Sequence, residues 1–300
     1  MIYPTGARQR PRSSFKTNLT MIDPTLPQPA PFAAEDLPGD SRQARQQARR
    51  RLIAEAVLAQ GSMRIEQVTA QFGISLMTAH RDLDDLAGRG ILRKSRGVAS
   101  AAPTSLVEAS DLYRDMRQGR EKAGIAACAA QQIAPGQAIF FDDSTTVLRM
   151  VPHLAARVPL TAITNSLTLI NALCDIPDID VRALGGQLQN WSNAFVGPVT
   201  TAEAAALRVD LVFMSMSAIT DGMVFHQSPE IVAVKRAMFD SAARRILLAD
   251  HTKFDRRALH GMMPLDAFDM VIVDHDTPAA LLRQLSARGV NIVVAEDRQD

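Results

Sequence analysis

The sequence predicts an α/β protein in two parts, a small N-terminal winged helix-turn-helix joined to a larger domain with a mostly parallel sheet. Three observations predict it. Apolar runs of strand length alternate with helical patterns from about residue 138 to residue 294, as βα units do. Charge is unevenly spread: residues 41–100 carry 11 basic and 5 acidic groups, net +6, while residues 101–300 carry 18 basic and 23 acidic, net −5. The whole-chain value of +1 therefore hides a basic module on an acidic body, the asymmetry of a nucleic-acid-binding head. Finally, residues 73–90, GISLMTAHRDLDDLAGRG, read as a tight turn, one amphipathic helix and a stop.

The bulk numbers narrow the class. Three hundred residues suit two domains, and an aromatic content of 5% predicts an aliphatic core. No run approaches 18 apolar residues, and the N-terminus lacks the apolar stretch of a secretory leader, so the expectation is a cytoplasmic protein without membrane contact. Cys128 and Cys174 sit in apolar contexts and are expected to be small buried thiols of a reducing compartment. The six histidines are scattered without metal-ligand spacing, so neither a metal nor a cofactor is expected.

Residues 1–40 hold 7 of the 16 prolines and no helical or strand period, which predicts a disordered extension. A helix begins at Ser41, with Ala48, Leu52, Ala56 and Ala59 as its apolar stripe and Ile53 and Val57 alongside. Arginines crowd its first half, and Arg49 and Arg50 are the candidates for phosphate contacts. Residues 64–72 form a second short helix with Ile65, Val68 and Phe72 inward. Gly73-Ile74-Ser75 turns into the third helix, which Ser75 caps and from which Leu76, Ala79, Leu83 and Leu86 face inward. Met77, Thr78, His80 and Arg81 project from its other side, as a recognition helix in a DNA groove requires. Beyond Gly90, apolar residues flank the basic run that contains Lys94, Arg96 and Gly97, which suits a β-wing along the DNA backbone. The domain is thus expected over 41–100, with its helix-turn-helix at about 63–82.

These residues carry a family resemblance. Ser75-x-x-Thr78-x-x-Arg81-Asp82-Leu83-x-x-Leu86, then Gly90-Ile91-Leu92, resembles the helix-turn-helix of DeoR-type transcription regulators. That family usually has Ile-Arg-Arg-Asp-Leu where this chain has Ala79-His80-Arg81-Asp82-Leu83, and His-Gly-Gly-Ala where this chain has Arg96-Gly97-Val98-Ala99. His80 in place of arginine removes a constant charge and a bidentate donor, so operator sequence does not transfer from relatives.

Residues 101–112, with Pro103, Thr104 and Ser105, read as a linker to a domain over 113–300. A helical segment over 111–132 leads to the first strand. Strands are expected at 138–141, 160–164, 180–184, 211–216, 245–248, 270–273 and 291–294. Helices are expected at 146–156, 167–173, 200–208, 229–242 and 278–288. Small, hydroxylated and charged residues recur where successive strands end: Asp142-Asp143-Ser144-Thr145-Thr146, Thr164-Asn165-Ser166, Gly185-Gly186, Met214-Ser215-Met216-Ser217 and Asp250-His251-Thr252-Lys253. The carboxyl rim of an open α/β sheet is where ligands bind, and hydroxyls with backbone N–H groups at a helix start suit an anion. The rim predicts a site for a small polar ligand.

The resemblance extends here too. DeoR-type sensor domains show Asp-x-Gly-Thr-Thr, Thr-Asn, Gly-Gly, Lys-Arg-Ala and Asp-His-[Ser/Thr]-Lys-Phe in that order. This chain has Asp142 to Thr146, Thr164-Asn165, Gly185-Gly186, Lys235-Arg236-Ala237 and Asp250 to Phe254. The resemblance implies a fold like that of sugar-phosphate isomerases, used as an effector sensor. It implies that Ser144, Thr145 and Thr146 hold a phosphate, that Lys235 and Lys253 supply charge to it, and that Asp142 and Asn165 bind sugar hydroxyls. The expectation is a regulator of sugar metabolism, a repressor, gated by a phosphorylated sugar or polyol and acting on operator DNA as a homo-oligomer. Two alternatives stay open: a sugar-phosphate isomerase with a DNA-binding appendage, and a DNA-binding structural protein without gating.

Overall fold

The computed structural model describes residues 42–88, 91–100 and 111–297. The extension expected over 1–40, Gly90 as helix stop and most of the linker lie outside the described residues.

The head runs α1 (Arg42–Gln60), β1 (Ser62–Arg64), α2 (Ile65–Phe72), α3 (Leu76–Gly88), β2 (Arg93–Ser95) and β3 (Val98–Ser100). Gly73 ends α2 in the left-handed conformation at φ 59°, a geometry glycine adopts without side-chain cost, and so sets the angle into α3. Ser75 caps α3 as expected: its Oγ accepts from the Thr78 N–H at 3.2 Å. The wing is a two-residue hairpin in which Ser95 pairs with Val98 across Arg96 and Gly97, at φ 48° and 78°, the mirror-image turn that matches strand twist. β1 adds a third strand to it, in the order β1-β3-β2. Ile53, Val57, Ile65, Val68, Phe72, Ala79, Leu83 and Leu86 make the head's core. The stripe of α1 is turned one residue from the expected one, with Ile53 and Val57 fully buried and Leu52 and Ala56 at the margin. Leu76 is 54% exposed rather than inward, because it occupies the first turn of α3, beyond the reach of α2.

The body runs α4 (Asp111–Met116), α5 (Gly119–Ala130), β4 (Ala138–Phe141), α6 (Thr145–Leu148), α7 (Val151–Leu154), β5 (Leu160–Thr164), α8 (Leu167–Leu173), β6 (Ile179–Ala183), β7 (Gln187–Gln189), β8 (Ala194–Val196), α9 (Pro198–Ala205), β9 (Val209–Met214), β10 (Ala218–Thr220), β11 (Met223–His226), α10 (Pro229–Asp240), β12 (Ala242–Ala249), β13 (His260–Pro264), β14 (Met270–Val273), α11 (Ala279–Ala287) and β15 (Ile292–Val294). Seven strands form one sheet in the order β15-β14-β12-β9-β4-β5-β6, and every pair in it is parallel. Its two faces bury alternate residues: Ile139, Phe141, Leu211 and Phe213 on one side, Phe140, Val212 and Met214 on the other. All seven expected strands are present, within a few residues of their expected ends.

Three expectations differ. The helix expected over 146–156 is two single turns and a 3₁₀ turn, with Pro152 starting the second piece because proline lacks the N–H a continuous helix needs. The segment 111–132 is two helices broken at Gln118, which sits at φ 54°. Cys174 is exposed, not buried, and Cys128 is only half-buried.

The chain leaves β4 toward β5 and β6 on one side, then crosses back to β9 on the other. The strand order reverses between β4 and β9, and in open α/β sheets the crevice at such a reversal binds ligands.

Candidate functional site

The head presents the N-terminal half of α3. Ser75, Leu76, Met77 and Arg81 are exposed there, with Thr78 and His80 half-buried between them. On the opposite face Asp82 is 1% exposed, an unforeseen buried carboxylate. Arg49 Nε donates to it at 2.7 Å and Arg50 Nε at 2.9 Å, and Arg50 also reaches Asp85 at 2.9 Å. The sequence offered both arginines to DNA phosphates; the structure corrects this by giving them a buried partner that fastens α1 to α3. Lys94 Nζ lies 2.6 Å from Asp84 and 2.9 Å from His80 Nδ1, so the wing is tied to α3. Arg96 and Gly97 stand exposed at the wing tip.

In the body, the β4–β9 reversal is closed by Asp142. Its carboxylate is fully buried, accepting from the Ser144 N–H at 2.9 Å, the Ser215 N–H at 2.8 Å and Lys235 Nζ. Lys235 reaches in from α10 and also meets Asp143 at 2.9 Å and the Ser215 carbonyl at 3.1 Å. Burial alone would push the Lys235 ammonium down, but Asp142 and Asp143 outweigh it and hold it above the usual lysine range. Burial likewise would raise Asp143; Lys235, Arg114 and His226 overcome it and hold that carboxyl below its usual range.

These contacts bear on two sequence expectations. Asp142 is engaged by the loop and by Lys235. Lys235 lines the ligand cleft with its charge balanced by two carboxylates. Both shape the loop that carries Ser144, Thr145 and Thr146.

That loop borders two adjoining clefts, which share Ser144 and Thr145. One also has Arg114, Thr146, Ser215, Met216, Ser217, His226, Lys235 and Lys253 in its wall. The other is walled by Asp111, Asp115, Asp143, Leu148, Ser166, Thr168 and Ser192. Thr164 and Asn165 line neither: Thr164 Oγ1 accepts from the Ser166 N–H at 3.0 Å, and Asn165 donates to the Phe195 carbonyl at 2.9 Å. Gly185 and Gly186 also line neither. They seat α9 instead: Thr200 Oγ1 donates to the Gly185 carbonyl at 2.6 Å, and a Cβ on Gly186 would lie 2.1 Å from that hydroxyl oxygen. Asn165 Oδ1, by contrast, is buried without a hydrogen-bond partner.

Lys122 was not foreseen. It is 3% exposed on α5, donating to Thr145 Oγ1 at 2.9 Å and to the Arg114 carbonyl. Burial, reinforced by the nearby Lys253 charge, lowers its pKa to about 7. The signal was its phase: Lys122 falls in step with Ile125, Ala126 and Ala129, the buried stripe of α5. A lysine with a folded pKa below its unfolded value has the opposite linkage from a salt-bridged one. The unfolded chain binds the extra proton, so stability rises with pH from about 7 toward 10.5. Chemical unfolding across that window should show this rise in the natural chain and lose it in Lys122→Met.

Among the described residues, His251, Asp274 and Asp276 have ligand atoms within 4.8 Å of one another. Asp274 already accepts from the His251 backbone at 2.5 Å, its ring at 2.9 Å and the Asp276 N–H at 3.0 Å, a turn rather than an open coordination set.

The family model for the DeoR C terminal sensor domain matches residues 117–275, more than half of the chain. The chain belongs to the DeoR family. The DeoR-like helix-turn-helix domain matches residues 49–104 as well. The lactose phosphotransferase system repressor of Lactococcus lactis is 30% identical over 78% of this chain and 93% of its own length. The glycerol-3-phosphate regulon repressor of Escherichia coli is 29% identical over 80% of this chain and 95% of its own. The transcriptional repressor AccR of Agrobacterium fabrum is 29% identical over 77% and 90%. Ribose 5-phosphate isomerase A from Neisseria gonorrhoeae matches at 13% identity over 45% of this chain and 53% of that one, with a TM-score of 0.33, too low to bear on function. A DeoR-like helix-turn-helix and a DeoR sensor domain in one chain make it a transcriptional regulator, not an enzyme. No helix among the described residues is long and apolar enough to cross a membrane.

Proposed function

We propose that this DeoR-family protein represses genes of sugar metabolism by binding operator DNA as a homo-oligomer in the cytoplasm, and releases it when a phosphorylated sugar or polyol binds the body. The observation that carries the DNA half is the first turn of α3. Leu76 and Met77 are 54% and 69% exposed side by side, next to exposed Arg81. Exposed apolar groups are costly at an idle surface but match thymine methyls in a major groove, where Arg81 has a guanine edge to read. Ser75 and Thr78 sit at the helix start, where backbone N–H groups favour phosphate. His80 and Lys94 hold the wing beside α3, and Arg96 and Gly97 carry it along the backbone. Residues 41–100 are the head, 101–112 the linker, 113–300 the sensor and 1–40 an appended extension.

The ligand half follows from the two clefts. Ser144, Thr145, Thr146 and Lys253 suit a phosphate, and the carboxylates and hydroxyls of the adjoining cleft suit a polyol. The relatives' names point to sugar and glycerol phosphate metabolism. Release is linkage: a ligand that prefers one arrangement of the heads weakens DNA affinity by the factor by which DNA weakens ligand affinity.

Footprinting upstream of neighbouring genes, with and without a panel of sugar and polyol phosphates, tests the reading. A protected operator that opens with one compound is the expected result. Protection indifferent to every compound would mean a DNA-binding protein without gating. In the same assay Arg81→Ala should cost about 1–3 kcal/mol and relax one operator position; an equal loss on every sequence would assign Arg81 to phosphate.

A further inference from the structure

We propose that His80 reads an operator guanine through a single Nε2–H donor, and that Lys94 of the wing sets which ring nitrogen carries that proton. The inference rests on the reading of the outer face of α3 given above and deepens it, by placing a second base-reading residue beside Arg81.

The argument is one of donors and acceptors. Lys94 Nζ stands 2.6 Å from Asp84 Oδ1, which holds it as an ammonium, and an ammonium only donates. The same Nζ stands 2.9 Å from His80 Nδ1. Nδ1 is therefore the acceptor, and the ring's one proton sits on Nε2. Nε2 lies on the far side of the ring from the wing. Among the described residues it makes no hydrogen bond, yet it is not sealed from solvent. His80 stands one helical turn from Met77 and from Asp84, next to exposed Arg81, so its ring borders the outer face of α3. The Asp84 carboxylate on that face is 64% exposed and by itself would be repelled by DNA phosphates; its pairing with Lys94 balances the charge. An arginine at position 80 could not take part in this relay, because a guanidinium has no acceptor to offer Lys94.

The tautomer has a consequence for sequence preference. In the major groove a lone N–H donor selects an acceptor edge. Guanine presents N7 and O6 side by side, adenine sets an N6 donor beside its N7, and cytosine presents only a donor. A single fixed donor therefore favours guanine. The opposite tautomer would turn Nε2 into an acceptor and favour the amino groups of adenine or cytosine instead. Lys94 thus decides what His80 reads without touching a base, which makes it a positioning residue. The wing then has two roles: its tip, at exposed Arg96 and Gly97, faces outward, while its first strand sets the reading helix.

The test selects binding sites from a random double-stranded DNA library with the full chain and its variants. The natural protein should prefer guanine at one position that Arg81→Ala leaves intact. His80→Ala should reduce that preference by about three- to tenfold, the weight of one neutral hydrogen bond, and leave the other positions as they were. Lys94→Met should flatten the same position, because either ring nitrogen can then carry the proton. Lys94→Arg, which keeps a donor for Nδ1, should retain guanine. The decisive comparison joins the two residues: in a His80→Ala background, Lys94→Met should alter no base preference. An undiminished guanine preference in His80→Ala overturns the proposal. So does a Lys94→Met variant that loses affinity on every sequence with all its base preferences intact, the behaviour of a phosphate contact or a wing support. If Arg81→Ala relaxes a position and His80→Ala relaxes none, the role of His80 falls alone; if neither relaxes any, the outer face of α3 is not the reading face and both readings fall.

Discussion

Asp142→Ala is expected to lower folding stability of the sensor domain by about 3–5 kcal/mol, the cost of removing one partner from a buried charge pair. The carboxylate is fully buried, and three donors point at it: the Ser144 and Ser215 N–H groups and Lys235. Its loss leaves two backbone donors without acceptors at the ends of β4 and β9 and leaves Lys235 to Asp143 alone. Asn is a poor substitute, because its amide turns N–H toward the Ser144 N–H in one orientation and toward Lys235 and the Ser215 N–H in the other. A double change, Asp142→Ala with Lys235→Met, should cost less than the sum of its single changes, since no ammonium is then left half-paired. Urea midpoints at unchanged slope give the comparison. A cost below about 1 kcal/mol for Asp142→Ala would remove the carboxylate from its place as keystone of the rim.

The sheet was legible in the sequence for a physical reason. Its strands are buried on both faces, so each reads as a short unbroken apolar run, as in Ile139-Phe140-Phe141 and Leu211-Val212-Phe213. The antiparallel strands β10, β11 and β13 are short, carry Thr220, His226 and His260, and have no period to detect. The rim was legible as a place but not as a set of roles. Asp142, Lys235, Gly185 and Gly186 stand in the expected motifs, yet pattern cannot say whether a carboxylate faces a ligand or the backbone of the next strand. The contact between Asp142 and Ser215 spans 73 residues of chain, and no local spacing encodes it. Lys122 had the reverse problem. Its burial and its bond to Thr145 are visible only once α5 is packed against the Thr145 loop.

The same distinction decides the head. Asp82→Ala is expected to destabilise the head by about 2–3 kcal/mol, and to remove DNA binding from every sequence alike. The charge-assisted bonds from Arg49 and Arg50 join the middle of α1 to the buried side of α3, the helix whose outer side carries Met77 and Arg81. Both arginines are less than one-fifth exposed, so they regain only part of their hydration when the carboxylate goes. That places the cost below that of a fully buried pair and above that of a surface one. Arg49→Gln separates the clamp from the phosphate contact that its sequence position suggests. A clamp residue lowers head stability and weakens DNA binding through misplacement of α3. A phosphate contact leaves stability unchanged and reduces the slope of log affinity against log salt by about one. Because Asp82 and Arg81 are neighbours on one helix, the structure puts the clamp and the reading face back to back. Arg49 and Arg50 are then spent inward, on fixing the angle of α3, while exposed Arg81 and Arg96 stand beside the reading face. Arg49→Gln and Arg50→Gln should accordingly leave the salt slope of operator binding unchanged, and a slope smaller by about one in each variant would refute the clamp.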